Sequence, residues 1–105
     1  MVKKREPADY REIWERRPDG RALCALIHGD QGWLMYLREP GDSGFSSRNL
    51  DYAGPEDATI DYVLSNGQRD EYPASWALPL RVVERALAHF RKTGERAPFV
   101  EWHPD

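Results

Sequence analysis

Cys24 and His28 stand four residues apart in "ALCALIH", and a thiol beside an imidazole is the pairing in this chain that nucleophilic chemistry could use. Such a pair needs an exposed, activated thiolate. Cys24 instead lies in the most apolar run of the sequence, where a buried structural thiol is the expectation, and as the single cysteine it has no disulfide partner within the chain. A zinc site needs three or four ligands, and neither His89 nor His103 has a spacing that completes one with Cys24 and His28. The carboxylate pairs Glu56–Asp57 and Asp70–Glu71 are sequence neighbours, so on a strand they point to opposite faces and cannot share a substrate. The Asp-Tyr steps at 51–52 and 61–62 have no supporting base, and "SGFSSRNL" lacks the glycine spacing and the lysine of a phosphate loop. No catalytic residue, metal ligand set or cofactor site is expected.

The elements around these residues read as one small domain over residues 1–105. Four Trp, five Tyr and three Phe supply an economical core, since each buried aromatic removes about 150–250 Å² from water. No stretch approaches the ~20 apolar residues of a membrane span, and no apolar run follows the basic residues of "MVKKREPADY". Neither a span nor a signal peptide is expected, and a cytoplasmic location is.

Pro7 at a first helical position, with Tyr10, Ile13 and Trp14 sharing a face, predicts a short helix over 7–17 that "RPDG" ends. "ALCALIH", Ala22 to His28, is an apolar run too short for most helices, as expected of a strand covered on both faces. After the turn "GDQG", Trp33, Met35 and Leu37 alternate with Leu34, Tyr36 and Arg38, which predicts its antiparallel partner. Residues 39–58, dense in Gly, Pro, Ser and Asp, read as one long loop in which Phe45, Leu50 and Tyr52 supply partial docking. Ile60, Tyr62 and Leu64, the Asn66–Gly67 turn and a return at Arg69–Tyr72 predict a hairpin. From Pro79 to about Lys92 a helix carries the stripe Leu80, Val83, Leu87 and Phe90, with Gly94 placed to end it and "APFVEW" following as a last strand. The expected fold class is α+β: an antiparallel sheet of about five strands, the C-terminal helix on one face and the short N-terminal helix at an edge.

Charge is distributed unevenly. Residues 39–71 hold eight acids against Arg48 and Arg69, a net −6, while the flanking segments are weakly positive. Two readings stay open for this acidic third: a solvated face, or a surface that steers a basic partner. Under the second, the partner-binding candidates are Asp42, Phe45, Asp51, Tyr52, Glu56, Asp57, Asp70 and Glu71, with Tyr52, Tyr72 and Trp76 equally able to close the core edge. Direct nucleic-acid binding is disfavoured. Its basis would be "VKKRE" with Arg11, Arg16 and Arg17, but Glu6, Asp9, Glu12 and Glu15 interleave, and Glu12 to Arg16 has the spacing of a helical ion pair.

The ordered set "GWLMYL", "SGFSS", "IDYVLSNGQRDEYPASWALPL", "RVVERALAHFRKTGER" and terminal "VEW" resembles the first-described family of immunity proteins from bacterial polymorphic toxin systems. The resemblance spans residues 22–102. Ala97 departs from it, preceding Pro98 where the family pattern puts proline directly after arginine. The resemblance implies a protein that binds a cognate toxin domain, most often a nucleic-acid deaminase, and blocks it by stoichiometric inhibition without chemistry of its own. It implies no cofactor and no membrane partner, and leaves the oligomeric state open. The alternative is a non-catalytic regulatory or scaffold module of the same fold that binds a protein other than a toxin.

Overall fold

The centre of the molecule is a strand with no polar face. In the computed structural model, which describes residues 9–105, β2 (Ala22–His28) is buried on both sides, with Ala22 to Ile27 no more than 3% exposed. The tight turn at Gly29–Asp30 returns the chain into β3 (Gln31–Leu37), antiparallel to β2 with Cys24 opposite Met35, as the alternation predicted.

The segment expected to be helical is a strand. β1 (Tyr10–Arg16) pairs along its full length with β2, Tyr10 opposite His28 and Arg16 opposite Ala22. Residues 7 and 8 of the predicted helix, and the "VKKRE" run, lie outside the described residues. The period was misread because Tyr10 and Trp14 share a face in a helix and in a strand alike. The strand sends Ile13 to one side of the sheet and Trp14 to the other, and each finds a different apolar cluster there. Nor does Glu12 pair with Arg16. Glu12 accepts bonds from the Ser65 hydroxyl and backbone and from Trp14 Nε1, contacts that hold its carboxyl below the usual range. The Arg16 guanidinium lies 4.5 Å from the Trp14 ring centre.

The long loop is also interrupted. β4 (Phe45–Arg48) crosses its middle, pairing with β3 and with the last strand, β8 (Glu101–Pro104). β8 begins at Glu101, later than the expected "APFVEW" strand, because Ala97 to Val100 form a turn closed by Val100 N–H on Ala97 O. The sheet order is β1-β2-β3-β4-β8, and a two-residue strand, β7 (Leu78–Pro79), pairs with the start of β3.

Helix α1 (Leu80–Thr93) covers one face of this sheet with Val83, Ala86, Leu87 and Phe90, all 0–2% exposed, against Leu23, Ile27, Leu34 and Tyr36. Each large apolar side chain buried there contributes about 1.5–3 kcal/mol. Both ends of the helix are tied. Asp30 O accepts from Leu80 N at the start; at the other end Gly94 adopts the left-handed C-cap, and Arg17 and Arg21 donate to Arg91 O and Gly94 O, where the helix dipole favours cations.

The opposite face is covered by the predicted hairpin, β5 (Thr59–Val63) and β6 (Arg69–Pro73), which forms its own two-stranded sheet. Tyr62 seats against Cys24, Leu26 and Trp33. Tyr72 stacks on Trp33 with ring centres 4.4 Å apart, and on Trp76 at 6.0 Å, so both Tyr72 and Trp76 close the core edge. The molecule is thus α+β in three layers, helix, sheet and hairpin. Loop 49–58 leaves β4 and returns to the hairpin at the sheet end that also holds the start of α1.

Candidate protein-binding surface

Two fully buried serines make a strand possible in polar sequence. The Ser47 hydroxyl accepts from Leu34 N at 3.1 Å and donates to Trp76 O at 2.9 Å, tying β3, β4 and the 3-10 turn Ala74–Trp76 at one atom. The Ser46 hydroxyl donates to Asp105 and accepts from Arg48. Arg48 also donates to Ser47 O and lies 3.8 Å over the Trp76 ring, so its charge is turned inward.

From that anchor the chain enters loop 49–58, which is built from its own hydrogen bonds. Asn49 N donates to Ser75 O; Asn49 Oδ1 accepts from Asp51 N, and Asn49 O from Tyr52 N. Tyr52 folds back and its hydroxyl donates to Pro55 O at 2.8 Å. The ring passes so close to Gly54 that a Cβ there would meet Tyr52 Oη at 2.5 Å. Tyr52 is therefore a staple within the loop. The same turn holds Leu50 outward at 78% exposure, in place of the docking the sequence suggested.

The eight partner-binding candidates do not form one patch. Asp51, Glu56 and Asp57 are exposed on this loop and make no ion pair among the described residues. Phe45 is the first residue of β4, at the end away from this loop, and Asp42 lies in the turn before it. Asp42 accepts from Arg38 N, Nε and Nη2, a clamp that holds its carboxyl well below the usual range and leaves its side chain 8% exposed. Phe45 is half-buried between the guanidinium groups of Arg38 and Arg96, 5.1 and 4.2 Å from its ring centre. On β6 the neighbours Asp70 and Glu71 diverge as expected: Asp70 accepts from Gln68 Nε2, and Glu71 is exposed.

Catalytic geometry is not assembled around Cys24. The thiol is 2% exposed and burial pushes its pKa up to about 12, while His28 Nδ1 is engaged with Asp61 O at 2.9 Å. Among the described residues no three His, Cys, Asp or Glu side chains are grouped to hold a metal ion, and no helix is long and apolar enough to cross a membrane. What the fold does present, at the end of the sheet where β4, α1 and β8 meet, is an open cleft of about 630 Å³ between loop 49–58 and the 97–101 turn.

The family described as Immunity protein Imm1 matches residues 2–104. The chain belongs to the Imm1 immunity protein family. The match takes in β1, which the resemblance read from residues 22–102 left out. Among curated proteins none matches the chain. Membership in Imm1 brings a toxin-neutralising immunity function and a toxin protein as partner, in a family that is generally non-catalytic. For such a protein the relevant geometry is an exposed, pre-shaped surface, and loop 49–58 with the adjoining cleft has that character.

Two features of this surface escaped sequence reasoning. Phe99, read as part of the last strand, is 43% exposed on the turn before β8. Leu50 was read as helping to dock the loop in part. The available signal was position: each is a single large apolar residue set among turn formers, "RNLD" and "APF", without an alternating partner on its side.

Proposed function

We propose that this Imm1 protein neutralises its toxin by stoichiometric binding through loop 49–58, with no chemistry of its own, inside the bacterial cell that makes a polymorphic toxin. The toxin class we infer is a nucleic-acid deaminase. The observation that carries the reading is the loop: three exposed carboxylates, Asp51, Glu56 and Asp57, unengaged by any ion pair among the described residues, on a backbone closed by its own hydrogen bonds. An enzyme that acts on nucleic acid needs cationic residues to hold phosphates, and an inhibitor with a local negative field gains association rate toward such a surface. A loop already in its bound shape loses little conformational entropy on docking. The chain exposes 6666 Å², so a standard interface of ~800 Å² per partner takes about one-eighth of it. Asp70 and Glu71 lie on the neighbouring hairpin as a second acidic margin, whereas Asp42, its charge held by Arg38, and Phe45 stand apart from this surface.

The test is calorimetric titration of the toxin domain encoded beside this gene, with deamination of single- and double-stranded DNA and RNA followed across the same titration. One-to-one binding with activity abolished at equivalence is expected. Loss of toxin activity at substoichiometric protein points to turnover and overturns the binding mechanism; a toxin that is inhibited but deaminates nothing overturns the deaminase assignment alone.

A further inference from the structure

The cleft beside loop 49–58 supplies something the carboxylates do not. Leu50 and Phe99 are the large hydrophobic side chains most exposed among the described residues, at 78% and 43%, and both line it. They come from segments 49 residues apart in sequence, so their meeting at one cleft is a product of the fold. Leu78 and Val100, members of the helix-side core, also line it, together with Val82, which packs on that core. An apolar group entering here would therefore continue the core outward.

The turn geometry makes the exposure of Leu50 a held position, since Asn49 and Tyr52 close the backbone on either side of it. A leucine kept in water by a rigid turn, lining the same cleft as a half-exposed phenylalanine with polar and charged side chains around them, has the anatomy of a binding hot spot, apolar at the centre and polar at the rim. Its rim sets the sign of the partner. Asp51 and Glu101 line the cleft, with Glu56 and Asp57 further along the same loop. Two cations line the cleft as well, Arg48, whose donors are occupied by Ser46 and Ser47 O, and Arg81, so the lining is balanced and the negative excess comes from Glu56 and Asp57 on the same loop.

We propose that the Leu50–Phe99 cleft is the anchor pocket for the toxin, taking an apolar side chain that the toxin carries beside a lysine or arginine. This rests on the toxin-binding reading above and assigns it a centre: the apolar contact holds the complex, and the acidic rim orients and speeds the encounter.

The measurement is association and dissociation rates at two salt concentrations between the full chain and the toxin domain encoded beside it. Leu50→Ala and Phe99→Ala should each weaken binding ~10-fold or more, chiefly through faster dissociation; the urea midpoint of Leu50→Ala should stay near wild type because that side chain is exposed, whereas Phe99 also packs on Arg85 and His89 and its variant is compared at matched folded fraction. Asp51→Asn should slow association and flatten its salt dependence. If the wild type binds and both alanine variants match it, the anchor pocket is overturned while toxin binding stands. If the wild type does not bind, both fall. If the protein alone sediments as a dimer that Leu50→Ala dissociates, the cleft belongs to a second copy and the proposal is overturned.

Discussion

Removing one oxygen atom, in Ser47→Ala, should cost more stability than removing most surface side chains. Ser47 is fully buried, and its hydroxyl satisfies Leu34 N–H and Trp76 C=O at 3.1 and 2.9 Å. A buried backbone donor left without a partner costs about 1–3 kcal/mol, and loss of the second, half-buried bond adds about 0.5–1.5 kcal/mol, so the expected loss is about 2–4 kcal/mol. Against a total of ~5–15 kcal/mol that is a large fraction, and it should appear as a lower urea midpoint with an unchanged slope in tryptophan fluorescence. Ser46→Ala is the matched control. It is as deeply buried, but both partners of its hydroxyl, the Asp105 and Arg48 side chains, are partly exposed and can turn to water, so about 1 kcal/mol is expected. Equal midpoints for the two variants would refute the argument that Ser47 acts by pairing backbone groups. A second readout follows from position. Ser47 holds the 3-10 turn whose Ser75 O caps loop 49–58, so Ser47→Ala should raise hydrogen exchange in that loop before the sheet itself opens.

Gly32→Ala should lose about 1–3 kcal/mol, because a Cβ there would sit 2.9 Å from Leu26 O and 3.2 Å from both Ile27 and Val83, between sheet and helix; an unchanged melting curve would refute it. Tyr62→Phe should leave stability equal or raise it by about 1 kcal/mol, since the Tyr62 hydroxyl is buried with no hydrogen-bond partner among the described residues; a clear loss would show that the hydroxyl is satisfied. Burial raises the Cys24 thiol from its ordinary value of 9.0 to about 12, so the folded state holds its proton where the unfolded state has lost it. That contribution is complete below pH 9 and falls by up to ~1.4 kcal/mol per pH unit above it, a slope that Cys24→Ala should reduce in urea titrations between pH 9 and 11. Reversing Asp51, Glu56 and Asp57 to lysine together should slow association with the toxin and weaken its salt dependence without moving the urea midpoint.

The parts of the fold legible in the sequence are those with one dominant period. "ALCALIH" has no polar face and is the strand with no exposed side; the stripe Val83, Leu87 and Phe90 packs a helix because residues three and four apart meet the sheet together. Asn66–Gly67 sets the hairpin, and Gly94 ends the helix, through local backbone preferences that no tertiary contact had to supply. What was not legible depends on partners distant in sequence. β1 has apolar residues on both faces because the sheet is covered on both, a fact that lies in α1 and the hairpin rather than in residues 10–16. β4 has two buried serines at its centre, and they are held by hydroxyl bonds to Leu34, Trp76 and Asp105 that no periodicity encodes. Trp102 is half-buried, and its indole N–H donates to Ala97 O across the turn before β8, a contact between residues five apart that no periodicity encodes.

The same distinction governs the charges. Counting the 39–71 segment gives −6, yet a count treats every carboxylate as available to a partner. Asp42 is clamped by three donors of Arg38, and Asp61 by Tyr10 and Arg69, so their fields close locally on cations or hydroxyls already in place. Asp51, Glu56 and Asp57 have no such partners among the described residues, and their charge reaches solvent. Steering depends on that open component, screened over ~8–10 Å at ordinary ionic strength, and not on the sum. Adding Asp42→Lys to the triple reversal therefore mixes two effects: it places a cation against Arg38 and breaks the turn that leads into β4. A variant with all four changes would lose affinity even if the loop never touched the toxin. The three loop positions alone separate an interface from a fold defect, because none of their carboxylates has an ion-pair partner among the described residues.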